Sequence, residues 1–98
     1  MVQNELKHKI LAAVQEFTHK ENVKKISLFG SFLRNNASAL DVDLLIELKE
    51  PVGYFELVRM ERKLQEKIGL PVDLVEPDAL SRLFREDVLK EAQPLYER

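Results

Sequence analysis

Asp41-Val42-Asp43-Leu44-Leu45-Ile46-Glu47-Leu48 sets two carboxylates one residue apart at the head of an apolar run. Three consecutive aliphatic residues break the alternation of a strand with one wet face. The stretch therefore predicts a strand covered on both sides. On a strand, residues i and i+2 share a face, so Asp41 and Asp43 project together while Val42 points away. A D-x-D pair is in general most often only solvated. Here it precedes a strand that reads as buried, where uncompensated charge is costly. A divalent cation between the two acids would remove the repulsion. Oxygen-only ligands suit magnesium, with manganese as the alternative.

Upstream, Val23 to Phe29 predicts a strand with a polar edge at Lys24-Lys25 and the apolar finish Ile26-Ser27-Leu28-Phe29. Gly30 ends it, and Ser31 to about Arg34 could turn into a short helix. Glycine lets backbone approach a phosphate, amides at a helix start favour anions, and the Ser31 hydroxyl can add a hydrogen bond. Arg34 could neutralise phosphate charge. Taken alone, Gly30-Ser31 reads first as a plain turn with a serine cap, and Arg34 equally as a surface arginine. Asn35 to Ala39 is small and polar and predicts a loop. Further upstream, Leu6, Ile10, Val14 and Phe17 recur at helical spacing and predict a helix from Gln3 to about Lys20.

Downstream, Pro51-Val52-Gly53 marks an exit. Helical periodicity returns from Tyr54 to Lys67, with Leu57, Met60, Leu64 and Ile68 as one stripe and Gly69 as the C-cap. Pro71-Val72-Asp73-Leu74-Val75 predicts a short third strand carrying a third acid. Pro77-Asp78 opens a last helical region in which Leu80, Leu83, Phe84 and Val88 share a face, running towards Pro94. The order is α-β-(α)-β-α-β-α, an α/β or α+β sheet with helices packed on it and room for a mixed strand order. His8 and His19 lie too far apart on the first helix for one metal. Arg59, Arg62 and Lys63 read as the wet face of the long helix, and Arg82 and Arg85 as a solvated face.

The chain has 98 residues, 45% hydrophobic and 33% charged, which fits one folded domain spanning residues 1–98 rather than a disordered chain. Its net charge of −2 gives no global basic field to draw in nucleic acid, and direct nucleic-acid binding is not expected. Without cysteine there is no disulfide framework and no thiolate chemistry. No apolar run approaches the roughly 20 residues of a membrane span. A polar start, Met1-Val2-Gln3-Asn4-Glu5, lacks a signal-peptide core. A soluble cytoplasmic protein, without a membrane partner, is the expectation.

Together, Phe29-Gly30-Ser31, Arg34, Asp41-Val42-Asp43-Leu44-Leu45-Ile46 and Pro71-Val72-Asp73-Leu74-Val75 resemble the minimal nucleotidyltransferase (MNT) family of the DNA polymerase beta superfamily. Gly53-Tyr54-Phe55-Glu56-Leu57 and Glu91-Ala92-Gln93-Pro94-Leu95-Tyr96-Glu97 extend the likeness over nearly the full length. The resemblance implies a palm-like mixed sheet of about three or four strands. It implies that Gly30, Ser31 and Arg34 bind nucleotide phosphates. Asp41, Asp43 and Asp73 would be catalytic and would hold two magnesium ions, with ATP as substrate. It also implies a HEPN-type toxin partner, silenced by transfer of AMP to a tyrosine, and so an antitoxin working in a homo- or hetero-oligomer. Two positions depart from the family pattern: Asn35 stands where glycine is usual, and Leu40 where serine is usual. The loop between Arg34 and Asp41 is also about one residue short. The alternative is a non-catalytic module that neutralises a partner by direct contact.

Overall fold

The computed structural model describes residues 3–30 and 41–98. Helix α1 spans Gln3–Gln15 and buries Leu6, Ile10, Ala13 and Val14. It stops five residues before the expected Lys20. Glu16 and Phe17 instead close tight turns onto Ala13 and Val14, each with a 3.0 Å hydrogen bond. Phe17, Thr18 and His19 are all weak helix formers, and Phe17 reaches the core from this turn without a further helical turn. A short 3-10 turn, Lys20–Asn22, leads into strand β1, Val23–Phe29.

Strand β2 spans Val42–Leu48, α2 spans Tyr54–Ile68, and β3 spans Val72–Val75. Gly69 caps α2 in the left-handed conformation at φ 82°, its N–H donating to the Gln65 carbonyl. A 3-10 turn at Pro77–Ala79 precedes α3, Arg82–Glu91, and the chain closes with β4, Gln93–Glu97. The fourth strand corrects the expectation of a helical run towards Pro94. Its proline lacks an N–H, and it is accommodated because β4 is an edge strand.

The strands lie in the order β3-β2-β1-β4. The β1/β2 and β1/β4 pairs are antiparallel and β2/β3 is parallel, so the sheet is mixed. One face carries Ile26, Leu28, Val42, Leu44, Ile46, Val72 and Leu74 into a single core with α1 and α2. Leu45 points to the opposite face and is still only 1% exposed, which is why the Leu44-Leu45-Ile46 run does not alternate. Asp43 and Glu47 share that second face with Leu45 by strand periodicity.

Helix α3 buries none of its residues. Leu83 and Phe84, read as part of an apolar stripe, are exposed, as are Tyr54 and Phe55 at the start of α2. Arg85 holds the turn before α3, donating to the carbonyls of Asp78 and Leu80 at 3.3 and 3.1 Å. Tyr96 is half-buried against the core. Among the described residues no helix is long and apolar enough to cross a membrane.

Asn22 ties the entry of β1 to the exit of β2. Its side-chain amide donates to the Glu50 carbonyl and accepts from the Glu50 N–H, both at 2.9 Å. These bonds are solvent-exposed, so Asn22→Ala is expected to cost about 1 kcal/mol. Thermal unfolding should register this as a Tm lower by roughly 4–8 °C.

Candidate active site

Three strand ends build the site. Strand β1 delivers Gly30, β2 delivers Asp43 with Asp41 one residue before its start, and β3 delivers Asp73. The antiparallel register places Phe29 opposite Asp43, and the parallel register places Asp43 opposite Asp73. Paired residues on adjacent strands project from the same face about 4.8 Å apart. Asp43 and Asp73 are thus side by side by backbone geometry alone. Asp41 lies in a bend outside the strand and is exposed, as is Asp73, while Asp43 is half-buried.

Gly30 has φ +78°, in the left-handed region that side-chain-bearing residues rarely adopt. It also lies directly against the Asp43 carboxylate. A Cβ on Gly30 would overlap Asp43 Oδ2, with Asp43 Cγ only 3.1 Å away. The glycine therefore leaves room for the acid. The sequence suggested glycine as a place where backbone meets phosphate. The structure adds that this same position clears the Asp43 side chain.

Burial, and then the neighbouring charges of Asp73 and Asp41, hold the Asp43 carboxyl above its ordinary pKa. No lysine or arginine among the described residues forms an ion pair with any of the three acids. The nearest ion pair on the same face of β2 is Lys25 with Glu47 at 3.5 Å. Asp43 is thus a partly desolvated carboxylate in a field of like charge. Such a centre favours a proton or a cation.

Among the described residues, no three acidic or histidine side chains are gathered as a ready metal cage. Magnesium commonly binds through one or two carboxylates, with phosphate oxygens and water completing its shell. An all-oxygen, like-charged cluster fits that mode without a full protein cage. Ser31, Arg34, Asn35 and Leu40 lie outside the described residues. A cavity of about 370 Å³ lined by Phe17, Met60 and Lys63 among others lies where α1 ends against α2. Phe17 and Met60 belong to the core on the opposite side of the sheet from Asp43, so this cavity is separate from the acids.

Sequence reasoning passed over Glu61 and Gln65. Their side chains accept hydrogen bonds from the Leu74 and Val72 N–H groups, each at 3.0 Å, on either side of Asp73. Both read only as polar positions of an amphipathic helix. Their spacing of four residues was the one available hint that they share a target.

The described residues thus form a mixed four-stranded sheet with α1 and α2 on one face and acids at adjoining strand ends. Residues 12–98 match the family described as polymerase beta nucleotidyltransferase. A candidate protein adenylyltransferase of Methanocaldococcus jannaschii is 34% identical over 90 residues, covering 91% of this chain and 92% of its own. The chain belongs to the polymerase beta nucleotidyltransferase family. A candidate minimal nucleotidyltransferase of known structure superposes with a TM-score of 0.77 at 29% identity, covering 96% of each chain. A chain in the solved complex of a tri-AMPylated Shewanella oneidensis HEPN toxin with an MNT antitoxin superposes with a TM-score of 0.73. That match covers 99% of this chain and 74% of the other at 20% identity, and so bears on fold alone.

Proposed function

We propose that this chain is a magnesium-dependent protein adenylyltransferase. In this reading it moves AMP from ATP onto a tyrosine of a HEPN-type partner and thereby acts as that partner's antitoxin. The observation that carries the reading is the register of Asp43 against Asp73, with side-chain-free Gly30 packed on the Asp43 carboxylate. The adenylyltransferase relative supports the reaction class, and the fold shared with an MNT antitoxin complex supports the partner class. A cytoplasmic setting follows from the need for ATP.

Asp41 and Asp43 would hold two magnesium ions, with Asp73 sharing the catalytic one. When bound, these ions would neutralise triphosphate charge and lower the pKa of the incoming hydroxyl. In this reading Asp73 takes the hydroxyl proton. The tyrosine oxygen forms its bond to the α-phosphorus as the bond to pyrophosphate breaks, and pyrophosphate leaves with the electron pair. Gly30, with Ser31 and Arg34, would position the phosphates. In this reading the acceptor tyrosine is presented by a folded partner.

The test is co-expression with a HEPN-type partner followed by mass spectrometry of that partner. Added AMP on a tyrosine, dependent on ATP and magnesium, is the expected result. Triple substitution of Asp41, Asp43 and Asp73 by asparagine separates this from neutralisation by contact. If the triple variant still neutralises the partner fully, transfer is not the mechanism.

A further inference from the structure

Strand β3 has four residues and pairs on one side only, with β2. The Val42 N–H donates to the Pro71 carbonyl at 2.9 Å, which turns residues 71 and 73 inward to β2. In a strand the next residues face the other way, so the N–H groups of Val72 and Leu74 point to the open edge. There they meet side chains of α2 in place of water. Gln65 Oε1 accepts from Val72 N–H and Glu61 Oε2 accepts from Leu74 N–H, each at 3.0 Å.

The match is one of spacing. Four residues along a helix advance about 6.0 Å and two along a strand about 6.6 Å. One helix turn can therefore grip two alternate amides of an adjacent strand. Gln65 takes the earlier strand residue and Glu61 the later one, as the reversed direction of α2 after β2 requires. The grip straddles Asp73, whose exposed side chain has no ion pair of its own among the described residues. Only backbone placement then sets the distance from Asp73 to Asp43. A slip of one residue would turn Asp73 to the core face.

We propose that Glu61 and Gln65 are positioning residues that clamp β3 and hold Asp73 in register with Asp43. The inference rests on the reading of Asp73 as a catalytic carboxylate. The Glu61→Ala/Gln65→Ala variant is expected to lose exchange protection at the Val72 and Leu74 amides. Its kcat for AMP transfer to the partner should fall roughly 10–100-fold, the usual cost of losing an outer partner of a metal-site ligand. The magnesium concentration for half-maximal rate should rise, while the KM for ATP stays within about twofold. Glu61→Gln keeps an acceptor oxygen and should retain most of the wild-type kcat. Should the double variant fail to fold, the single alanine variants supply the same readouts.

An unchanged kcat and magnesium dependence, despite lost amide protection, overturns the clamp while leaving the function reading intact. So does a Glu61→Gln variant as impaired as Glu61→Ala. Wild-type transfer by Asp73→Asn overturns the role of Asp73 itself, and the clamp with it. The two failures are therefore distinguishable.

Discussion

Asp43→Asn is expected to abolish nucleotidyl transfer and, in the same protein, to raise the thermal stability of the metal-free form. The first effect follows from the proposed role. The acid nearest the centre of the cluster would be lost as a metal ligand, at a cost on the order of 10³-fold in rate. The second follows from the electrostatics. Burial and the charges of Asp73 and Asp41 raise the Asp43 pKa in the folded state. For a carboxylate shifted in that direction, the favourable contribution is present below the unfolded pKa of about 3.9 and is lost as pH rises through the folded value. In its ionised form the group works against the fold. Asparagine keeps the shape and removes the charge.

The metal-free variant should accordingly melt above wild type at pH 7, and the gap should close below about pH 4. Magnesium should raise the wild-type Tm and leave the variant nearly unmoved, because a ligand stabilises only the state that binds it. Differential scanning fluorimetry across pH, with and without magnesium, checks both arms. An Asp43→Asn protein less stable than wild type at pH 7 would mean that the carboxylate is satisfied in the fold and is not held ready for a cation.

How much of this was legible in the chain depended on whether the cause was local. The stripe Leu57, Met60, Leu64 and Ile68 with Gly69 behind it gave α2 to within a residue, because a helix and its cap are specified over a few turns. The unbroken Leu44-Leu45-Ile46 gave a two-sided strand. Non-local causes were hidden. Gln93–Glu97 forms a strand because β1 offers it an edge, and nothing in Gln-Pro-Leu-Tyr-Glu announces that partner. The apolar spacing of Leu83 and Phe84 gave a helix correctly but implied a packed face that the described residues do not provide.

The site divides along the same line. Acid identity and the i, i+2 relation were readable from eight residues. The Asp43–Asp73 register, the Gly30 contact and the grip of Glu61 and Gln65 depend on how separate elements meet. A third acid on a third short strand anticipated Asp73 as a member of the site, and the family resemblance agreed. Neither anticipated what holds it there.

Gly30→Ala is expected to be the most damaging of the three possible glycine-to-alanine substitutions, for two separable reasons. Its φ of +78° imposes a left-handed backbone cost of about 1–2 kcal/mol on any residue with a Cβ. Overlap with the Asp43 carboxylate adds an overpacking cost of about 1–3 kcal/mol. For a protein of this size the sum corresponds to a Tm loss of roughly 10 °C or more. Moving the carboxylate aside by even ~1 Å should also lower transfer about 100-fold.

Gly69 provides the control. It has nearly the same φ, +82°, but open space where its Cβ would go. Gly69→Ala should therefore incur only the backbone cost and leave transfer unchanged. The contact itself can then be isolated in a cycle. In an Asp43→Ala background the carboxylate is gone and only the residue-43 Cβ remains, 3.2 Å from the new methyl, so adding Gly30→Ala should cost far less than in wild type and only a little more than Gly69→Ala does. The shortfall from additivity measures the Gly30–Asp43 overlap. If the second substitution costs as much with Asp43 absent as with it present, glycine is required at position 30 by the backbone alone. The acid would then owe its place to β2 and not to the turn that follows β1.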